Sequence, residues 1–328
     1  MKSRILAMVV ALGLLAALIV VADPGKVVDL LLKVDLKWIA LGLCLWPVGV
    51  VLRTERWRYL LRKVGVNVPF IEAAKIYVAG LAISNITPAK SGDPLRSVLL
   101  KKVAGDRVGT TLPALIVERA FDIAAMVVIA GIPLFTVFGV RMQGLMTWFG
   151  AAVGVYAAVF AIAVYVLSSE GRTHTAINMI YRGLSWWPRV RKLEHRMSDF
   201  AASLHSSFKL YGSWSIMWRT AAFSLCIWTF EGALFWLSFQ ALGLGQAAQL
   251  PVAVIVTVSL STLIAVLTFL PGGIGSSEVV AVAFLTSLFP LSVADVTAAA
   301  LLNRFIGFWV YIVVGAGLLA TMRYRYSI

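Results

Sequence analysis

Pro271-Gly272-Gly273-Ile274-Gly275-Ser276-Ser277-Glu278 interrupts an apolar stretch running over about residues 250–290. Thr87-Pro88-Ala89-Lys90-Ser91-Gly92-Asp93-Pro94 interrupts another over about residues 71–104. Proline removes a backbone donor and glycine loosens the chain, so each segment ends one helix before the next begins. In hydrocarbon, the freed backbone groups survive only where protein or a polar cavity surrounds them. Two such breaks in corresponding positions of two halves point to a transport site between repeats.

The sequence around the breaks is 60% hydrophobic and only 13% charged, with a mean hydropathy of +0.90. Several windows exceed the roughly 18 apolar residues needed to cross a bilayer. The fold class expected is an all-α polytopic membrane protein. The net charge is +14 and the pI near 10.1. With no soluble basic domain to carry it, that charge reads as the positive bias of cytoplasmic loops, not as a nucleic-acid surface. Cys44 and Cys226 lie within apolar spans and offer neither a disulfide framework nor metal spacing. His174, His195 and His205 share one polar loop without ligand spacing. Gly273-Ile274-Gly275 is half of a dinucleotide fingerprint, but no soluble strand precedes it. No cofactor and no metal is expected. Residues 5–22 follow Lys2 and Arg4 and read as a retained first span, being long for a signal peptide.

The full spans expected are 5–22, 36–52, 109–138, 148–167, 216–241 and 295–321, with the two interrupted regions between them. If each interrupted region enters and leaves on one side, as a re-entrant helical hairpin, the charges sort. Lys2 and Arg4, a group from Arg53 and Arg56 to Lys75, a group from Lys90 to Arg107, a long basic loop over 168–215, and Arg323 with Arg325 fall on the cytoplasmic side. Lys26, Lys33, Lys37 and Arg141 fall outside, while Arg119 and Arg304 fall within spans. This arrangement, about six full spans plus two hairpins, puts both termini in the cytoplasm. In the loop, Leu193, Met197, Phe200, Leu204 and Phe208 recur at helical spacing beside Arg189, Arg191, Lys192 and Arg196, after Trp186-Trp187. That pattern predicts an amphipathic helix on the inner leaflet.

The halves resemble each other. Leu43-Cys44-Leu45-Trp46 parallels Leu225-Cys226-Ile227-Trp228 at an offset of 182, and Pro88 and Gly92 parallel Pro271 and Gly275 at 183. Glu118-Arg119 parallels Asn303-Arg304 at 185. The expectation is a first membrane repeat over 1–144 and a second over 145–328. Each holds three spans, an odd number, so the second is inverted, with its hairpin opening from outside.

Charged residues inside such spans mark the chemistry, since each costs about 2.5–3.5 kcal/mol on insertion scales. Glu118, Arg119 and Asp122 share one helix flank, either as a structural pair or as a substrate site. Arg304 sits about as deep in the last span, and Glu278 is its natural partner, or a helix cap, or a substrate contact. Lys90, Ser91, Asp93 and Arg96 surround the first tip, where free N–H groups at a half-helix start attract anions such as a lipid phosphate, or where the cations merely anchor to headgroups. Glu231 is a lone acid in its span, open to pairing with Arg53 or Arg56 or to binding a coupling proton.

Taken in order, these features resemble the membrane flippase domain of lysylphosphatidylglycerol synthase. They are Arg53-x-x-Arg56-Trp57; Asn85-x-x-Pro88 to Gly92-Asp93-x-x-Arg96; Glu118-Arg119-x-x-Asp122; Pro271-Gly-Gly-x-Gly275-x-x-Glu278; and Arg304. They cover about residues 45–320. The chain ends at Ile328, so a stand-alone member without the synthase domain is expected. The resemblance implies a lipid flippase of the cytoplasmic membrane, transporter-like and without a catalytic centre of its own. Its cargo would be a phospholipid, an aminoacyl-lipid, a hopanoid or a polyprenyl-linked lipid, with a lipid-synthesising enzyme or a second copy as partner. The alternatives are a membrane-embedded headgroup transferase and a non-catalytic partner of a lipid-modifying enzyme. The substrate-binding set expected is Lys90, Ser91, Gly92, Asp93, Arg96, Glu118, Arg119, Asp122, Pro271, Gly272, Gly273, Gly275, Glu278 and Arg304.

Overall fold

Long apolar runs become helices because a helix satisfies its own backbone without water. The computed structural model describes residues 2–87, 91–105, 108–138, 143–184 and 194–326, and these are all-helical. The helices are α1 (Lys2–Val21), α2 (Pro24–Leu32), α3 (Leu36–Lys63), α4 (Phe70–Ile86), α5 (Leu95–Ala104), α6 (Val108–Thr136) and α7 (Gln143–Leu167). They continue as α8 (Glu170–Leu184), α9 (Glu194–Lys209), α10 (Trp214–Ala241), α11 (Leu250–Leu267), α12 (Ser276–Leu288), α13 (Val293–Arg304) and α14 (Val310–Tyr326). A π turn over Phe305–Trp309 joins the last two. Among the described residues, six helical segments are long and apolar enough to cross a membrane, or seven if the sharply bent α1–α2 pair is one span.

Several boundaries follow from local chemistry. Asp23 accepts from the Gly25 amide at 3.2 Å ahead of Pro24, and Asp35 accepts from the Lys37 amide at 3.0 Å. Ser292 and Asp295 cap α13 reciprocally. At the second break, Glu278 reaches back to the Gly275 amide at 2.8 Å. The turn before it needs left-handed backbone at Gly272, Gly273 and Gly275, with φ of 58°, 63° and 84°.

Helix α10 forms the hub, packing on α3, α6, α11 and α13. One core joins α6, α10, α11, α12 and α13; a second joins α3, α4, α5 and the end of α14. At each break the flanking helices pack together, α4 with α5 and α11 with α12. Helices α4 and α14 meet across a small-residue contact: a Cβ on Gly315 would lie 2.4 Å from that of Ala82 and 2.7 Å from the Val78 carbonyl oxygen.

Two expectations change. Helix α3 does not end at residue 52 but runs on to Lys63, a length of about 42 Å at about 1.5 Å per residue. Arg53 and Arg56 are therefore helical and turned inward, because a buried carboxylate on α6 and a half-buried one on α10 receive them. The apolar side of α9 does not simply face lipid. It packs on α6 and α8, with Leu204 buried and Phe208 against the second core. Trp186, Trp187, Arg189, Arg191, Lys192 and Leu193 lie outside the described residues.

Gly80 shows how tightly the second core is fitted. A Cβ there would stand 2.2 Å from Cγ of Arg96, a side chain that is 1% exposed. Gly80→Ala is expected to cost about 1–3 kcal/mol through overpacking and to lower the melting temperature in detergent. Gly150→Ala in α7 meets nothing within 4 Å and is expected to leave it unchanged. Equal melting temperatures for the two variants would contradict the packing.

Candidate functional site

Helix α6 carries Glu118, Arg119 and Asp122 on one flank, and three other helices and the turn before α5 bring partners to them. Arg56 of α3, only 2% exposed, donates to both oxygens of Asp122, one contact being very short and the other 3.3 Å. It also donates to Ser224 Oγ at 2.7 Å, and its Nε stands 3.4 Å from Glu118. Arg96 of α5 donates to the other Glu118 oxygen at 2.9 Å and stacks on the Tyr77 ring at 4.3 Å. Arg119 pairs with Asp93 at 2.6 Å and with Asp122 at 3.5 Å. Trp228 of α10 donates its indole N–H to Asp122 at 3.1 Å. Three arginines and three carboxylates thus alternate, which is how buried charges are tolerated.

The second break is built around Arg304. Its Nε donates to Glu278. Its Nη atoms donate to the carbonyls of Gly272 and Gly273, both at 3.0 Å, and to Ser277 Oγ at 2.6 Å. The guanidinium therefore holds the glycine turn from inside, and Glu278 both pairs with it and caps α12. Arg53 completes the set: it donates to Glu231 at 2.5 Å, to the Gly49 carbonyl at 3.3 Å and to the Tyr311 hydroxyl at 3.4 Å.

These groups surround a cavity of about 220 Å³. Its wall takes Arg119 and Asp122 from α6, Arg53 and Arg56 from α3, and Tyr77 and Asn85 from α4. Glu231, Tyr311, Asn303, Arg304 and Glu278 come from the later helices, with Gly272 and Gly273 at the glycine turn. Of the expected set, then, Arg119, Asp122, Gly272, Gly273, Glu278 and Arg304 reach the cavity. Asp93, Arg96 and Glu118 stand behind the wall as partners of the residues that do. Gly92 packs on the end of α4, its amide donating to Thr87 Oγ1 at 2.9 Å. Ser91, Pro271 and Gly275 do not line the cavity, and Lys90 lies outside the described residues. Arg96 is aimed at Glu118 and Tyr77 rather than at an anion in the cavity, because full burial leaves a guanidinium stable only against a carboxylate.

Sequence reasoning put Arg53 and Arg56 beyond the end of their span, though it offered Arg53 as a partner for Glu231, the pairing the structure contains, and it did not single out Tyr77, Trp228 or Tyr311 as site residues. The available signal was the three-residue spacing of Arg53 and Arg56 at the end of an uninterrupted apolar run from residue 38. That spacing puts both on one helix face, directed at whatever acids lie opposite.

Helices of membrane-crossing length around an internal cavity of paired charges define a multi-pass membrane protein with a buried polar site. The chain belongs to the family of the lysylphosphatidylglycerol synthase transmembrane region, whose sequence profile matches residues 5–315. It is similar to a UPF0104 membrane protein of Methanothermobacter thermautotrophicus, with 25% identity over 94% of this chain and 92% of the relative. A UPF0104 membrane protein of Pyrococcus horikoshii is 20% identical over 95% of each chain. Glycosyltransferase AglD of Haloferax volcanii is 25% identical over 92% of this chain, which spans only 52% of that protein.

Proposed function

We propose that the protein is a lipid flippase or lipid-transport protein that moves a phosphate-bearing lipid headgroup between the leaflets of the cytoplasmic membrane. The observation that carries this reading is the cavity, walled by residues of both halves, in which Arg119 is about 30% exposed and so open to a ligand. The headgroup crosses through this polar space while the tails stay in the bilayer, and Arg119 meets the phosphate. Each half contributes a broken hairpin and an arginine on a later helix, Arg119 paired with Asp93 and Arg304 with Glu278. That correspondence supports two inverted repeats, 1–144 and 145–328, with re-entrant hairpins that rock about the site. The test is reconstitution in proteoliposomes with a panel of fluorescent lipids, phosphatidylglycerol and a polyprenyl phosphate among them. Exchange of at least one phosphate-bearing lipid above protein-free vesicles is expected; exchange of none overturns the reading.

The proposed topology has both termini in the cytoplasm. In a background lacking Cys44 and Cys226, cysteines at positions 172 and 245 are expected to label from the cytoplasm and from outside respectively. The reverse pattern contradicts the inverted arrangement.

A second reading is a headgroup transferase or the membrane partner of one, favoured by the similarity to a protein named as a glycosyltransferase. Asp122 would be its base, but that carboxylate is already held by Arg56, Arg119 and Trp228. A covalently altered lipid that disappears in Asp122→Asn would favour this reading over transport.

A further inference from the structure

The ionised groups around the cavity balance. Arg53, Arg56, Arg96, Arg119 and Arg304 are paired with Asp93, Glu118, Asp122, Glu231 and Glu278. Five cations meet five anions, so among the described residues the site carries no net charge. A monoanionic phosphodiester that enters leaves one negative charge uncompensated, deep in a low-dielectric region where unpaired charge is costly. Neutralising one carboxylate with a proton restores the balance.

The five acids are not equally free to accept that proton. Asp122 is held by two arginines and an indole. Glu278 is held by Arg304, the Gly275 amide and Ser277. Glu118 and Asp93 stand behind the wall. Glu231 lines the cavity, is 17% exposed, and binds Arg53 through one oxygen. Its other oxygen faces Gly307 of the π turn, 3.8 Å from where a Cβ would stand. The groups that share the cavity with it are Arg53 and Arg56 of α3, Tyr77 of α4, Arg119 and Asp122 of α6, Arg304 of α13, Glu278 of α12 and Tyr311 of α14. Helix α11 has no titratable side chain to offer.

We propose that Glu231 is the proton-binding group of a proton-coupled transport cycle, one proton travelling with each anionic headgroup. This rests on the transport reading above. The proton comes from water on the side where the headgroup enters, resides on the Glu231 carboxyl, and is released to water on the other side. While Glu231 is protonated, Arg53 keeps its contacts to the Gly49 carbonyl and Tyr311 and turns the donor released from Glu231 toward the phosphate.

The experiment uses vesicles of phosphatidylcholine with a trace of fluorescent phosphatidylglycerol outside and a pH-sensitive dye inside. With wild-type protein, a pH gradient of about one unit is expected to drive an approximately tenfold leaflet asymmetry of the fluorescent lipid, the factor that one coupled proton supplies, with matching proton movement. In Glu231→Gln, whatever exchange remains is expected to ignore pH and to move no protons. Wild-type exchange that ignores the gradient and moves no protons overturns the coupling but leaves transport standing. Proton-coupled exchange that persists in Glu231→Gln overturns the role of Glu231. No wild-type exchange of this lipid at any pH removes both the coupling and phosphatidylglycerol as a cargo. The wild-type proton measurement decides the coupling even if the variant does not fold.

Discussion

Glu118→Ala is expected to destabilise the protein by about 3–5 kcal/mol, the scale for removing one partner of a buried ion pair. Glu118 is 0% exposed and is shared by Arg96 at 2.9 Å and Arg56 at 3.4 Å. Its loss strands Arg96, which is 1% exposed and wedged between Gly80 and the Tyr77 ring. The readout is a lower melting temperature in detergent and loss of the monodisperse peak in size exclusion. Adding Arg96→Met to Glu118→Ala is expected to recover part of the stability, because the stranded charge is then gone. A wild-type melting temperature for Glu118→Ala would mean that these pairs do not brace the fold.

Arg119→Ala and Arg304→Ala are expected to fail in different ways. Arg119 is about 30% exposed on the cavity side, and both of its acids keep another arginine when it is removed, Asp122 through Arg56 and Asp93 through the nearby Arg96. The Arg119→Ala protein should stay folded while lipid exchange falls about 10- to 100-fold, the loss expected for one hydrogen bond to a charged group. Arg304 is about 11% exposed and holds Glu278, Ser277 and two glycine carbonyls. Its removal leaves a buried carboxylate unpaired and the turn unbraced, so Arg304→Ala should lose stability by about 3–5 kcal/mol, and exchange with it. Thermal melting and leaflet exchange measured on both variants check this contrast. Intact folding of Arg304→Ala with normal exchange would show that the turn does not depend on it.

The helical architecture was legible because hydrophobic runs and Pro/Gly breaks act locally. The α4 end falls just before Pro88, whereas α11 stops at Leu267, ahead of Pro271, with the chain turning at Phe269 through a positive φ; Glu278 capping α12 while meeting Arg304 follows from helix-start chemistry. Pairing across distance was legible only in part: Glu278 with Arg304 and Glu231 with Arg53 were among the partners offered, while Arg56 and Arg96 with the acids of α6 were not. Arg53 and Arg56 look like any basic residues that close an apolar span, and only the acids on α6 and α10 draw them inward. Arg96 resembles a headgroup anchor until the missing side chain at Gly80 is seen to open a slot for it. The amphipathic pattern of α9 is the same whether its apolar face meets lipid or α6, since periodicity records that a face is buried and not what covers it.

The central claim is that the cavity between the two halves receives a lipid headgroup. Photo-cross-linking tests it most directly, using a phosphatidylglycerol with a photoreactive group on the headgroup and mass spectrometry to map the adducts. The account predicts adducts on the cavity-facing segments of α6 and α14, around Arg119 and Tyr311, and their loss when an excess of unlabelled lipid is added. Adducts confined to the outward faces of α1 and α7, with none in the cavity, would contradict it.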